Sequence, residues 1–347
     1  MTEITRVGLD LAKNVFEVHA VNAQEQVVVR RSLRRSQVLT WFAKQPPCLI
    51  GIEACGTANH WARELSTLGH TVRLIPPAYA KQYVRRNKND AADAAAICEA
   101  VSRPSMRFVP IKTVEQQADA VTHKARQILI KQRTMAMNSL RSLMAEFGIV
   151  IPQGPQHIGK LLAILADPED TSVAAVARTA LNAMSQVLST LEMQIGVLDK
   201  DIRVRARTDV TARRLDTIPG FGPILSSAIA AIVTDPRHFD SGRDFAASLG
   251  LVPRQDGTGG KVKLGPISKR GNGYLRRLLV NGATAVLNGK NARNDLWRAK
   301  MLDGKPRKLV AVAPAFAGAG CLANKMARIA WAVMTRQEDF RPRAVPA

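Results

Sequence analysis

The chain has 347 residues and a formal net charge of +22, because 50 lysines and arginines stand against 28 aspartates and glutamates. This length exceeds one average domain and predicts two or three units. An apolar fraction of 46% is enough to build their cores. A charge of this size and sign argues against an ordinary small-molecule enzyme and is typical of a protein that neutralises phosphate groups.

Cysteine usage and apolar runs exclude further classes. The four cysteines are scattered without a C-x-x-C pair, which argues against structural zinc and for reduced thiols in a cytosolic protein. The first ten residues run directly into a strand pattern, unlike a signal peptide. The longest apolar run, residues 309–323, contains Pro314 and is too short to cross a bilayer. We therefore expect a cytoplasmic protein without a membrane partner.

The first third of the chain alternates strand and helix patterns. Strands are predicted within residues 4–33 and at 48–55 and 71–75. Helices are predicted at residues 36–44, 57–70 and 88–102. Such alternation predicts a mixed sheet of the α/β class.

Two long stretches without internal proline, residues 113–147 and 172–205, predict long helices. The second has apolar residues three and four positions apart, which predicts one continuous apolar stripe. The stripe consists of Val173, Val176, Ala180, Met184, Val187, Leu191, Ile195, Leu198 and Ile202. Two such helices joined by a break that contains proline and glycine predict an antiparallel hairpin or an oligomerising coiled coil. An ordinary core helix is the alternative.

Residues 215–233 contain a helix pattern, the turn PGFG and a second helix pattern. This arrangement resembles a helix-hairpin-helix element, in which backbone N–H groups at a helix N-terminus hold a DNA phosphate without reading the sequence. Gly220 and Gly222 are therefore candidate nucleic-acid-binding residues. A plain helical turn is the alternative.

Residues 261–308 carry thirteen lysines and arginines but only two aspartates, which is half of the excess positive charge of the chain. A solvated basic face could produce this bias, but a polyanionic partner explains it better. Aromatic residues make up only 5%, so contacts with a nucleic-acid backbone are expected rather than base stacking. The segment GTGGK lacks the spacing of a phosphate-binding loop. The candidate backbone-binding side chains are Lys13, Arg254, Lys261, Lys263, Lys269, Arg270, Arg276 and Arg277.

Four acidic residues have positions that suit a hard cation. Asp10 and Glu53 interrupt apolar strands, where a carboxylate is costly unless it is paired or bound to a metal. Asp90 and Asp93 lie three residues apart on one face of an alanine-rich helix pattern. Alone, that pair would suit a solvated helix start. All four together predict a Mg²⁺ site, with two ions about 4 Å apart that hold the oxygens of a phosphodiester transfer.

Three motifs, GLDLAK at 8–13, IEACGT at 52–57 and KNDAADA at 88–94, resemble those of the DEDD-type insertion-sequence transposases, relatives of the RuvC resolvases and the Piv-type invertases. The segments LDTIPGFGP and FAASLGLVPRQDGTGGKVKLGPISKRGNGYLRRLL resemble the second conserved domain of this family. The resemblance covers nearly the whole chain. It implies an RNase H/RuvC-like catalytic domain at residues 1–112, a helical coiled-coil segment at 113–207 and a C-terminal transposase domain at 208–347.

The resemblance also implies a mechanism and partners. Asp10, Glu53, Asp90 and Asp93 fall on the four metal-binding acids of the family. Its members are recombinases guided by a structured noncoding bridge RNA that pairs with donor and target DNA. A hydroxyl of the C-terminal domain acts as nucleophile in a site shared between subunits. We accordingly expect two DNA duplexes, a guide RNA and homodimers that pair into tetramers, at the bacterial nucleoid.

The sequence departs from the family at the expected nucleophile. The family places a serine shortly after a Pro-Arg pair, but Gly257 occupies that place here and Thr258 follows. The Thr258 hydroxyl is therefore the candidate nucleophile. Ser268 is a second candidate, although we expect it to cap a helix over residues 271–287. An inactive or serine-substituted copy is the alternative.

Three other functions stay open at this point. A structure-selective endonuclease of RuvC type would use the same four acids with water as nucleophile. A sugar-kinase-like phosphotransferase also begins with a GLD strand, but the net charge and the lack of a second phosphate motif argue against it. A remnant that binds nucleic acid without catalysis would explain the missing serine.

Overall fold

The structure is a computed structural model that describes residues 3–80, 90–259, 261–288 and 322–341. It divides into two compact units, Met1–Val114 and Glu115–Ala347. The predicted α/β character is confirmed, since a five-stranded mixed sheet is accompanied by many helices. The predicted domain boundaries at residues 112 and 207 stay predictions. The predicted basic segment, residues 261–308, lies outside the described residues from residue 289 onward.

Unit 1 contains a five-stranded sheet in the order β3-β2-β1-β4-β5. Its strands are β1 (Arg6–Asp10), β2 (Val15–Val21), β3 (Val27–Arg34), β4 (Leu49–Glu53) and β5 (Thr71–Ile75). Its helices are α1 (Val38–Phe42), α2 (Ala58–Thr67), α3 (Pro77–Ala80) and α4 (Asp90–Val101). β1 pairs antiparallel with β2 and parallel with β4, so it lies at the junction of the two pairing modes.

One face of this sheet packs against α1 and α2. Alternate residues of the strands, such as Leu9, Val18 and Ile52, are buried there with Phe42 and Trp61 of the two helices. This alternation is the period of two that a half-buried strand requires. The neighbouring residues on each strand therefore point to the opposite face.

The opposite face is covered by α4, and two glycines make this approach possible. Gly8 of β1 and Gly51 of β4 are direct neighbours in the register. A Cβ on Gly8 would lie 2.8 Å from Cβ of Cys98, and a Cβ on Gly51 would lie 2.8 Å from Cβ of Val101. Real Cβ atoms do not approach so closely. The two glycines therefore form a shallow trough that accepts the alanine-rich helix.

In the residues that the structure describes, unit 2 is helical apart from one hairpin. Its helices are α5 (Val114–Ala145), α6 (Ile158–Ala166), α7 (Ala175–Thr208), α8 (Val210–Asp216), α9 (Pro223–Ile232), α10 (Gly242–Ser248), α11 (Gly273–Asn288) and α12 (Leu322–Arg336). The antiparallel hairpin consists of β6 (Pro253–Thr258) and β7 (Lys261–Ile267). One apolar core joins α8 through α12, and a second joins parts of α5, α6 and α7.

The spacing of three and four predicted for the apolar stripe of α7 is confirmed, but some of the predicted members are exposed. The buried residues of this helix include Leu181, Leu188, Ile195 and Ile202, which are spaced seven apart. Val176 and Val187 of the predicted stripe are 89% and 55% exposed. Met184, Leu191 and Leu198 of the predicted stripe are half-buried and lie between the four buried residues. Together these seven residues form the alternating steps of three and four that keep one face of a long helix apolar.

A buried polar chain connects four helices of unit 2. The His123 imidazole of α5 contacts the Tyr274 hydroxyl of α11 at 3.0 Å and the Ser227 hydroxyl of α9 at 3.0 Å. On α5, Arg126 forms an ion pair with Asp199 of α7. Burial, followed by the charge of the nearby Arg126, lowers the pKa of His123 to about 4. The ring is therefore held neutral between two hydroxyls.

The expected role of Ser268 as a helix cap is wrong. The backbone N–H groups of Tyr274 and Leu275 donate to Oδ1 of Asn272, so Asn272 caps α11. The Ser268 N–H instead donates to the Val252 carbonyl at 2.8 Å, beside the base of the hairpin. Asn at a helix N-cap satisfies two free N–H groups, which a serine four residues earlier cannot reach.

Among the described residues, no helix combines the length and apolarity needed to span a membrane.

Replacing Gly8 by alanine should destabilise unit 1 by about 2–3 kcal/mol, because the new methyl group meets α4 and forces the helix off the sheet. The measurement is the free energy of unfolding in urea. Gly56→Ala is the matched control, since a Cβ there meets nothing within 4 Å. Equal stability of the two variants would contradict the trough.

The stability of unit 2 should fall as the pH is lowered from about 6.5 towards 4. In this window the unfolded chain binds a proton at His123. The folded chain does not, because the pKa of the buried ring is lowered to about 4. Thermal unfolding of His123→Gln, which cannot titrate, should therefore depend less steeply on pH than that of the parent. Identical pH profiles would show that the ring is not held neutral.

Candidate metal centre and nucleic-acid interface

Three of the four predicted acids meet at one end of β1. Asp10 is the last residue of β1, Asp90 is the first residue of α4, and Asp93 lies one turn further along the same helix. One carboxylate oxygen from each of the three lies within 4.8 Å of the others. Glu53 is not part of this group. It ends β4, the strand that runs parallel to β1, so it stands at the same edge of the sheet.

The electrostatics of the group reflect carboxylates crowded without a counter-ion. Burial, followed by the charges of Asp93, Asp90 and Glu53, raises the pKa of Asp10 to about 6. A backbone hydrogen bond from Leu11 acts in the opposite direction. No lysine or arginine in the described parts of the chain forms an ion pair with these acids. Such a cluster binds a proton or a cation, and oxygen ligands alone favour a hard divalent ion.

Local structure explains why the acids face one another. Asp90 and Asp93 occupy the first turn of α4, where the helix dipole favours negative charge. Gly8, two residues before Asp10, is where α4 touches β1 most closely. The sequence prediction identified the acids and missed the glycines. A glycine inside an apolar strand is the signal for a close approach of another element, and Gly8 and Gly51 both had it.

Thr258 lies in unit 2, at the end of β6 and the tip of the hairpin. It is exposed and pairs in register with Lys261 across the turn. Gly259, in the turn, has a φ of +57°, which glycine adopts without strain. The hydroxyl therefore lies at the end of a short hairpin and is exposed to solvent. The side chain of Lys261 lies outside the described residues.

The predicted nucleic-acid-binding residues of unit 2 fall into two groups. Arg254, Lys263, Lys269, Arg270 and Arg277 are exposed. Arg276 differs, because its guanidinium is half-buried and donates to the carbonyls of Leu249 and Arg270, both at 2.9 Å. Arg276 therefore braces the loop before α11, an internal role that the charge pattern of the sequence did not reveal.

The turn between α8 and α9 contains the two predicted glycines. Gly220 has a φ of +85° and packs closely against Gly282 of α11. Gly222 precedes Pro223 at the start of α9, where no side chain caps the helix. The uncapped N–H groups of such a helix start are free to bind an anion. In unit 1, Lys13 is exposed in the turn that follows β1.

Comparison with known proteins finds the same family in both parts of the chain. Residues 7–149 match a family model described as a transposase of the DEDD IS110 type. Residues 212–298 match the model of the IS116/IS110/IS902 transposase family.

Full-length relatives support the same assignment. The chain is 47% identical to a probable family 20 transposase of Pseudomonas aeruginosa, over 98% of this chain and 99% of the relative. It is 40% identical to the transposase for insertion sequence element IS1328 of Yersinia enterocolitica, over 98% and 99% of the two chains. It is 36% identical to the transposase for IS1111A of Coxiella burnetii, over 98% and 92%. The chain therefore belongs to the IS116/IS110/IS902 family of insertion-sequence transposases.

Proposed function

We propose that this transposase breaks and rejoins DNA by Mg²⁺-assisted phosphodiester transfer at Asp10, Asp90 and Asp93. The observation that carries the proposal is the meeting of three carboxylates within 4.8 Å at the end of β1, with no described basic partner. Glu53 completes the ligand set from the neighbouring strand. Four acids supply enough oxygen ligands for two ions, in keeping with the DEDD pattern that the sequence resembles.

The metal would supply charge neutralisation of the phosphate and of the departing oxygen. The protein residues hold this charge in place. Asp10 is anchored on a central strand, and Asp90 and Asp93 are anchored on a helix that packs into the glycine trough. Rigid anchoring matters because transfer between oxygens depends on the position of each ligand to a fraction of an ångström.

We infer that the Thr258 hydroxyl is the nucleophile for strand transfer. Its oxygen forms a bond to phosphorus, the bond from phosphorus to a sugar oxygen breaks, and the hydroxyl proton passes to a base or to water. The departing DNA strand takes a proton at the sugar oxygen. Exposure at the tip of the hairpin supports this role, because a nucleophile must reach a backbone phosphate.

The family resemblance and the charge of the chain support a guide RNA as a further partner. An excess of +22 exceeds what a single DNA contact region needs, and the exposed basic residues near the hairpin suit a second phosphate backbone. We propose that donor and target DNA are selected by pairing with this RNA at the nucleoid. The test is to sequence the RNA that co-purifies with the protein. If no RNA species is enriched, the guided mechanism is refuted.

The long helices support assembly into a homodimer, and two dimers would hold two DNA duplexes. Val121, Ile128 and Met135 of α5 are exposed and spaced seven residues apart. Exposed apolar residues at this spacing form the seam of a coiled coil when a second helix covers them. A monomer in equilibrium sedimentation would refute the dimer.

A RuvC-type endonuclease is the second candidate function, and the absence of a serine near Gly257 favours it. In that case the same carboxylates would activate water, and no bond to the protein would form. The two functions are distinguished by denaturing the protein during its reaction with DNA. Only the transposase reaction leaves protein covalently bound to DNA after denaturation.

Asp93→Ala should abolish metal-dependent DNA cleavage while leaving DNA affinity within about twofold, because the lost carboxylate holds the metal and does not contact the backbone. Cleavage and binding are measured on the same DNA. Glu99→Ala is the matched control: Glu99 lies on the same helix but pairs with Arg103. An equal loss of binding in Asp93→Ala would assign this residue a structural role.

Thr258→Ala should remove the covalent protein–DNA adduct and reduce excision by at least about a hundredfold, while Thr258→Ser should retain both. The serine variant is the control, since it keeps the hydroxyl and removes only a methyl group. Undiminished excision by the alanine variant would exclude Thr258 as the nucleophile.

A further inference from the structure

Arginines follow the outer strand of the sheet in unit 1. β3 is an edge strand, and Arg30, Arg31 and Arg34 on it are all exposed. None of the three forms an ion pair with a residue that the structure describes. Unpaired guanidinium groups on an exposed edge leave a concentration of positive charge that the fold itself does not use.

The strand register divides these arginines between the two faces of the sheet. Asp10 is opposite Glu17, and Glu17 is opposite Ser32, so these three residues share one face. Arg30 and Arg34 lie two residues on either side of Ser32, so they share that face as well. The metal-site face of the sheet therefore carries a pair of arginines at its open edge.

Arg31 lies on the opposite face. It is opposite Val18, and its neighbour on that face is Leu33, and both of these belong to the buried core beneath α1 and α2. On the other face, Arg30 lies directly opposite His19, and burial and then the charge of Arg30 lower the pKa of that imidazole. Arg30 and Arg34 therefore lie on the face that carries Asp10, and Arg31, on the other face of the same strand, is a control for them.

Geometry connects the pair to the acidic group. Neighbouring strands lie about 4.8 Å apart, which places Ser32 about 10 Å from Asp10 across the sheet. Arg30 and Arg34 lie on either side of Ser32 in this row. If a nucleic-acid strand places one phosphate at the carboxylates, these two side chains can therefore reach the neighbouring phosphates. Guanidinium groups bind phosphate oxygens through paired hydrogen bonds.

We propose that Arg30 and Arg34 bind backbone phosphates of the DNA strand that is cut, next to the phosphate at the carboxylates. This inference rests on the proposed metal-assisted reaction. It assigns the edge of the sheet to DNA rather than to RNA, because the cut strand has to cross the face that carries Asp10. Arg30 and Arg34 are positioning residues, since they hold the strand and do not touch the reacting atoms.

The test compares Arg30→Gln/Arg34→Gln with Arg31→Gln in the full chain. Affinity for a DNA duplex carrying the end of the element is measured across a range of salt concentrations. Loss of two phosphate contacts should reduce the slope of log affinity against log salt by about 1.8, since each contact contributes about 0.9. Arg31→Gln should keep the slope of the parent. All three residues are exposed, so the variants should fold alike, which thermal unfolding checks.

Equal salt slopes for the two variants would overturn the inference. A reduced slope that appears only for binding of the RNA that co-purifies with the parent, and not for DNA, would overturn it as well. Cleavage by the parent with Mg²⁺ is measured in parallel, so that the two proposals can fail separately. A parent that cleaves, with equal slopes for both variants, refutes only the arginine assignment. A parent that never cleaves, with the expected change of slope, refutes the metal-assisted reaction and keeps the two DNA contacts.

Discussion

The close packing of α4 against β1 and β4 is the contact on which the candidate metal centre depends. A helix that packs on a sheet normally has side chains of both elements between the two backbones. Here Gly8 and Gly51 remove one layer of side chains, and the alanines of α4 reduce the other. The first turn of the helix therefore comes down beside the end of β1, where Asp90 and Asp93 meet Asp10.

This arrangement brings like charges together, and the fold has to hold them there. The pKa of Asp10 is raised to about 6 by burial and by three neighbouring acids, so the group is unfavourable when it is fully ionised without a cation. The proposed divalent ion would relieve this repulsion. The packing energy of the sheet and of α4 offsets the cost, as is usual for catalytic sites.

In unit 2, the proposed nucleophile and the exposed basic residues lie on or beside a hairpin that is attached to a helical core. The buried hydrogen bonds from Ser227 through His123 to Tyr274 fix the position of α5 relative to α9 and α11. Arg276 then ties the loop before α11 to the end of α10. These internal bonds hold the base of the hairpin that carries Thr258. Exposed basic residues around the hairpin are left free for phosphates.

The sequence by itself determined the elements, the acids and the family. Strand alternation and helix periodicity are local signals, so β5 and α4 were predicted almost to the residue. Only the tertiary structure decided which partners each side chain meets. It brought three of the four predicted acids together, gave the cap of α11 to Asn272 and placed Arg30 and Arg34 on the face of the sheet that carries Asp10. These outcomes depend on strand register and on contacts between distant segments, which no local pattern in the sequence encodes.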